Sequence, residues 1–367
     1  MKLWKRVVGA IKDKNSIVVV YVSGRNSFRN SDLEAAIIKA TSHDEYHIDK
    51  RNVRVVFSWI RASPVSLGPI IWALSRRMEK TRSWVVAIKG LMLMHGVFHC
   101  NVPVVRMIQR LPFDLSTFSD GHSKPSKSWG FNSIIREYFA FLDQKAAISF
   151  EQDNGKNNSR EGDEQLLRLQ KWQSLLDLLL QIKPRAENMK VRLILEAMDC
   201  VIIEIFDVYG IICSEIAKVS LRIYSISKHE APLALKVLKK ATKQGEELSL
   251  FFEFCKEYGV QNACEFPTVT RIPEQDLEEL KSIINGVSVS DKGLMNNNEC
   301  FMEMATVLEE DTKGSLKTII TDKWVVFDEE NISSNEQQYG LCNEIKTVAA
   351  GGDAAEDVPT NSYLISF

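Results

Sequence analysis

The sequence predicts an all-α protein, a superhelical stack of antiparallel helices followed by a disordered acidic C-terminal tail. Three observations carry this. Apolar residues recur at spacings of three and four through most of residues 1–286, which is the period of a helix with one buried face. Prolines fall between the periodic segments, where helices stop or start. The one strand-like run, Ile17 to Val22, has no comparable partner elsewhere, and a lone strand is not stable in water. It is therefore read as buried helix, tertiary context overriding β-propensity.

The elements follow in order. Leu33, Ala36, Ile37 and Ala40 mark one apolar face, and Val53, Val56, Phe57 and Ile60 the next. Further helices are predicted over 66–79, 83–98, 101–111, 129–145, 164–182, 187–208, 210–227, 231–242, 244–258 and 274–285. Pro64, Pro103, Pro112, Pro184, Pro232 and Pro267 punctuate them, with Pro184 and Pro232 placed where a helix can begin. Residues about 150–163 are polar and nearly free of apolar side chains, so a mobile loop is expected inside the domain. After Gly286 the periodicity fades into Asn, Ser, Gly and acidic residues. The expected organisation is one helical domain over 1–286 and a tail over 287–367 without a packed core of its own.

The formal charge of −2 over 367 residues conceals an asymmetry. Residues 1–110 carry 19 Lys and Arg against 7 Asp and Glu, whereas residues 287–367 carry 5 Lys, no Arg and 15 Asp and Glu. A basic head of +12 suits an anionic surface, and an acidic tail of −10 suits another partner or solvent. No stretch approaches the roughly 20 apolar residues of a spanning helix, and the N-terminus lacks a signal-peptide pattern. The seven cysteines are scattered without a CxxC pair, which favours reduced thiols over a disulfide framework or zinc site.

Several segments carry chemistry. Wound as a helix, residues 1–12 align Leu3, Trp4, Val7, Val8 and Ile11, with Lys2, Lys5, Arg6 and Lys12 on the flanks. Such a helix lies in a membrane interface or packs as the first helix of the bundle. Lys39 falls near the end of one helix, and Lys50, Arg51 and Asn52 open the next, with His43 in the turn between. Helix N-termini present free N–H groups and a positive dipole end, so this corner forms either a shallow phosphate site or a solvated turn. In the tail, Trp324 and Phe327, three apart and followed by acids, form a short docking motif or a chance pairing. Leu175-Leu176-Asp177-Leu178-Leu179 spells a clathrin-box peptide, but its place inside a leucine-rich helix assigns it to the core. His43 and His47 do not complete a zinc-protease pattern, because the glutamate between them is at the wrong position. His95 and His99 sit one turn apart without an evident further ligand. No phosphate-binding glycine loop or nucleophile elbow occurs. No enzyme activity, catalytic residue, metal, cofactor or nucleic-acid partner is expected.

At these residues the chain resembles the ANTH-domain family of clathrin assembly proteins, especially its plant members, over essentially all of 1–286. The likeness runs in order through Leu3-Trp-Lys-Arg-Val-Val-Gly-Ala-Ile-Lys-Asp-Lys14, Lys39-Ala-Thr-Ser-His43 and Trp84-Val-Val-Ala-Ile-Lys89-Gly-Leu-Met-Leu-Met-His95. It continues through Leu115-Ser-Thr-Phe-Ser-Asp120, Ile135-Arg-Glu-Tyr-Phe-Ala-Phe-Leu-Asp143 and Phe252-Glu-Phe-Cys-Lys-Glu-Tyr-Gly259. The resemblance implies an ENTH/ANTH-like solenoid and binding of phosphatidylinositol 4,5-bisphosphate. It also implies a tail that recruits clathrin and adaptor complexes, and SNARE proteins as cargo. The implied location is cytoplasmic and peripheral to the membrane, at clathrin-coated pits and vesicles of the plasma membrane, with the Golgi as a second site. Lys39 and His43 match the family's lipid motif, and Arg51 matches its later basic position. Ile48 stands where the motif has proline, Asp49 where it has lysine and Asn52 where it has histidine, with Lys50 between as partial compensation. A carboxylate in place of lysine changes the local charge by two units and weakens each phosphate contact. Trp324 to Phe327 resembles an adaptor-appendage docking motif.

Overall fold

The structure, a computed structural model, describes residues 2–22, 30–122, 124–154, 161–264 and 272–285. These form ten α-helices and no strand among the described residues: α1 (Lys2–Val22), α2 (Ser31–Ala40), α3 (Lys50–Ala62), α4 (Leu67–Lys80), α5 (Trp84–Phe98), α6 (Pro125–Asn154), α7 (Glu161–Gln181), α8 (Arg192–Leu221), α9 (Ala231–Tyr258) and α10 (Glu274–Asn285). Successive helices pack on one another. α1 lies on α2, which also meets α3 and α4; α5 packs on α6, α6 on α7, α7 on both α8 and α9, and α9 on α10. The predicted all-α solenoid is thus the observed architecture.

Local chemistry explains the boundaries. Asn30 caps α2, its Oδ1 accepting from the N–H groups of Asp32 and Leu33 at 3.1 and 3.2 Å. Pro232 sits in the first turn of α9. Gly259, at φ 94°, closes that helix in the left-handed conformation, with its N–H donating to Cys255 and Lys256. α5 runs through the centre, with every residue from Trp84 to Val97 buried. That is why it reads as apolar on all sides rather than as a stripe.

Some expectations need correction. Residues 101–111 are not an α-helix. Asn101 takes φ 53°, and only a short 3₁₀ turn forms over Pro103–Met107. α8 and α9 each run unbroken through the junctions placed at 208–210 and 242–244, since neither site carries a proline to stop the ladder. The polar segment expected as a loop over 150–163 is helical at both ends, since α6 extends to Asn154 and α7 begins at Glu161, and residues 155–160 lie outside the described residues. Ile17 to Val22 is helical but not buried: Val18, Val19, Tyr21 and Val22 are all exposed. The expectation of reduced thiols holds at Cys100, Cys213, Cys255 and Cys264, which are free. No helix among the described residues is long and apolar enough to cross a membrane. The tail 287–367, with Trp324 and Phe327, lies outside the described residues, as do the side chains of Lys2, Trp4, Lys5 and Arg6.

Candidate functional site at the corner of the second and third helices

The residues singled out in the sequence converge on one corner. Lys39 is exposed on the last turn of α2, and Lys50, Arg51 and Asn52 form the first turn of α3. His43 lies in the turn between the two helices. Asp49 caps α3. Its Oδ1 accepts from the Asn52 N–H at 3.1 Å, and its Oδ2 accepts from the Asn52 side-chain amide at 2.6 Å. The acidic residue at this position is therefore the device that starts α3. It occupies one of the N–H groups that would otherwise face an anion, and it commits the Asn52 amide as well.

The turn is fastened from three directions. From α1, Asp13 accepts the His43 N–H at 2.8 Å and pairs with His43 Nδ1 at 2.8 Å. The same carboxylate receives Arg77 Nη2 of α4 at 2.9 Å, while Arg77 also donates to Thr41 Oγ1 and Thr41 O at 2.5 and 2.6 Å. Burial pushes the Asp13 carboxyl up, but hydrogen bonds from His43 and Arg77 outweigh it and hold the group below the usual carboxylate value. From α8, Glu196 pairs with His47 Nδ1 and accepts the Ile48 N–H at 3.5 Å. Beneath the turn, fully buried Lys89 of α5 donates to Ser42 Oγ at 3.3 Å. Burial pushes its ammonium down to about 8, against the opposing pull of Asp44, Glu196, Asp13 and Asp49.

α1 meets this corner through Gly9 and Asp13, one turn apart and both buried. A Cβ on Gly9 would stand 2.7 Å from the Cβ of His43, so only glycine permits the approach. Because this small and polar line faces α2, the apolar stripe is left outside: Val7 is 50% exposed, Ile11 51%, Val18 58% and Val22 79%. Of the two readings of this helix, packing into the bundle does not hold at Val7 and Ile11. Lys12 is exposed and donates to Nε2 of His122 at 3.1 Å.

The ANTH domain family matches residues 32–286. The chain belongs to that family. Within this ANTH-domain chain the resemblance first read from short motifs is matched by whole-length relatives. Two provisionally named clathrin assembly proteins of Arabidopsis thaliana are 51% and 49% identical over 90% of this chain, covering 88% and 89% of their own lengths. A third from the same plant is 45% identical over 77% of the chain and covers 82% of its own length.

Two further candidates resolve in the ANTH domain. Leu175, Leu176 and Leu179 are fully buried in α7, so the clathrin-box-like sequence is core, as expected. His95 and His99 do find a third group, Glu204 of α8, whose Oε2 lies 2.9 and 3.0 Å from their Nε2 atoms. Two imidazoles and a carboxylate match zinc chemistry. However, the Lys145 ammonium sits 2.6 Å from the other oxygen of Glu204, and Tyr138 OH is 2.7 Å from His95 Nδ1. A cation already balances the carboxylate, and the cluster is complete as a buried ion-pair network. Burial pushes Glu204 up, yet Lys145 and the two histidines outweigh that and hold it well below its usual value. Burial drives His95 down to about 3.

Asp13, Arg77, Lys89, Glu196 and Glu204 were not foreseen. Their signal was present for Lys89 and Glu204, each a lone charge inside an apolar run (Val-Val-Ala-Ile-Lys89-Gly-Leu and Val-Ile-Ile-Glu204-Ile-Phe). A charge in such a place needs a buried partner.

Proposed function

We propose that this ANTH-domain chain is a peripheral-membrane endocytic adaptor, not an enzyme, that binds phosphatidylinositol 4,5-bisphosphate and promotes clathrin coat assembly and vesicle budding. The observation that carries the reading is the braced corner between α2 and α3. There Lys39, Lys50 and Arg51 surround a turn that Asp13, Glu196 and Lys89 hold in place, so phosphate meets preorganised cations. Each basic residue near an anionic leaflet contributes about 1 kcal/mol. The exposed stripe of Val7, Ile11, Val18 and Val22 supports shallow insertion of α1 beside that corner. Residues 1–286 form the membrane-binding domain in this reading. The acidic tail 287–367, through Trp324 and Phe327, links it to clathrin and adaptor complexes at coated pits of the plasma membrane and at the Golgi. SNARE helices are its cargo. The names of the Arabidopsis relatives support the clathrin part of this reading.

Reversing Lys39 and Arg51 to Glu tests the site by co-sedimentation with bisphosphate-containing vesicles. Loss of sedimentation is expected, and unchanged sedimentation refutes the assignment. One observation favours a second reading, a helical scaffold with only general attraction to anionic membranes. Asp49 and Asn52 are committed to each other as the α3 cap, so two positions of the lipid motif offer no cation.

A further inference from the structure

A cleft of about 650 Å³ opens between α1, α2, α4 and the start of α5, on a different face of α1 from its exposed apolar stripe. Lys12 of α1, Arg76 and Lys80 of α4, and Arg82 in the α4–α5 connection line it, with His122 on the facing turn. Glu34, nearly buried, is the one carboxylate among its lining residues. Arg77 also lines the cleft but is spent on Asp13 and Thr41. The other four cations carry no such commitment to a carboxylate: Lys12 donates to His122, Arg76 lies over the Trp72 ring at 5.3 Å, and no carboxylate among the described residues pairs with Lys80 or Arg82.

The rim is also held in shape. The carbonyl of Arg82 accepts from the Gly121 N–H at 2.8 Å and from His122 Nδ1 at 3.0 Å. With Nδ1 donating, Nε2 of the same ring accepts from Lys12, so α1 and the α4–α5 connection are tied through one imidazole. A Cβ on Gly121 would lie 3.2 Å from the Arg82 Cβ, which shows how closely the turn approaches.

We propose that this cleft is a second anion site, taking a compact ligand with two or more phosphate monoesters, either a phosphoinositide headgroup or a free inositol polyphosphate. Four like charges around a concave, partly apolar surface repel one another and focus a positive field into it. Each phosphate monoester brings about −1.5 to −2 charge and three strong acceptors, which guanidinium and ammonium groups satisfy better than a single carboxylate would. The volume is far larger than one phosphate requires and falls in the range of small-molecule pockets. The proposal goes beyond the reading of the α2–α3 corner and does not depend on it.

Calorimetry on the full chain with inositol hexakisphosphate tests it. Wild type should titrate at two sites. Lys80→Ala/Arg82→Ala should weaken one of them at least tenfold and leave the other within twofold, whereas Lys39→Glu/Arg51→Glu should do the reverse. Both truncated side chains are exposed, so the melting temperature should be unchanged, which separates lost binding from lost folding. A cleft variant that titrates like wild type overturns the inference and leaves the corner standing; a corner variant that titrates like wild type removes the corner and leaves the cleft. Vesicles then identify the source. Tenfold weaker binding of the cleft variant to bisphosphate vesicles assigns a lipid headgroup, and unchanged vesicle binding with lost hexakisphosphate binding assigns a soluble ligand.

Discussion

Asp13 is the residue on which the seating of α1 depends, and removing it gives a quantitative test. Its carboxylate is largely buried and accepts three hydrogen bonds, two from His43 and one from Arg77. In Asp13→Ala the Arg77 guanidinium, only 12% exposed at its side chain, loses its counter-charge but keeps Thr41. Removing one partner of a buried pair costs about 3–5 kcal/mol, and the surviving Thr41 contacts argue for the lower end, ~3 kcal/mol. α1 meets the rest of the domain chiefly through α2, so the loss should appear as local opening of α1. By the relation of about 1.4 kcal/mol per tenfold, its amides from Val8 to Ile17 should exchange roughly 150-fold faster. Asp13→Asn keeps one acceptor but turns an N–H₂ toward a donor, so it should fall between wild type and Asp13→Ala. Hydrogen exchange read by mass spectrometry gives the answer. Because the Asp13 carboxyl is held below its usual value in the folded state, its contribution is present above the unfolded value of 3.8 and disappears as pH falls through the folded one. An acceleration in Asp13→Ala of less than threefold at neutral pH would refute the assignment of Asp13 as the clasp.

Other perturbations follow from the same contacts. Gly9→Ala places a methyl against the His43 Cβ at 2.7 Å and should cost about 1–3 kcal/mol of α1 docking, visible in the same exchange experiment; no change would mean α1 is not held at this contact. Lys89 binds fewer protons folded than unfolded between its folded value of about 8 and the ordinary 10.5, so it should make stability rise with pH in that window by up to ~1.4 kcal/mol per unit. Buried Cys100 and Cys255, pushed up to about 11 and 12, pull the other way above pH 9. The quantity to measure is therefore the difference between wild type and Lys89→Met in denaturant titrations, which should grow with pH; a flat difference contradicts the buried charge. Glu204→Gln leaves Lys145 without its counter-charge and should destabilise the domain by about 3–5 kcal/mol, with part recovered in Glu204→Gln/Lys145→Met. Equal melting of the two variants would show that the pair is not coupled.

Which features could be read in advance depends on whether they are local. Helix existence was legible at α2 and α3, because Leu33, Ile37, Val53 and Phe57 recur at the helical period and are buried as that period requires. The unbroken course of α8 and α9 was not, since a glycine at 210 or 245 weakens a helix without ending it once tertiary packing holds both sides. Burial of Ile17 to Val22 was misjudged for a related reason. Periodicity reports that a helix has an apolar face, not which face its neighbour takes, and here the close contact of Gly9 with His43 selects the other side. At the candidate site, Lys39, His43, Lys50 and Arg51 announce themselves within a dozen residues. Their supports Asp13, Arg77, Lys89 and Glu196 come from four other helices and are brought together only by the fold. Asp49 is the instructive case: read as a fault in a cationic motif, it is the residue that caps α3.

Whether the braced corner recognises a phosphorylated headgroup and not merely negative charge is decided by titrating the Lys80→Ala/Arg82→Ala chain, which retains the corner alone, against two vesicle populations of matched surface charge. One carries phosphatidylinositol 4,5-bisphosphate and the other phosphatidylserine alone. Binding to the bisphosphate vesicles should be at least tenfold tighter, equivalent to about 1.4 kcal/mol. Equal binding to both would contradict headgroup recognition and leave a basic scaffold held at the membrane by charge alone.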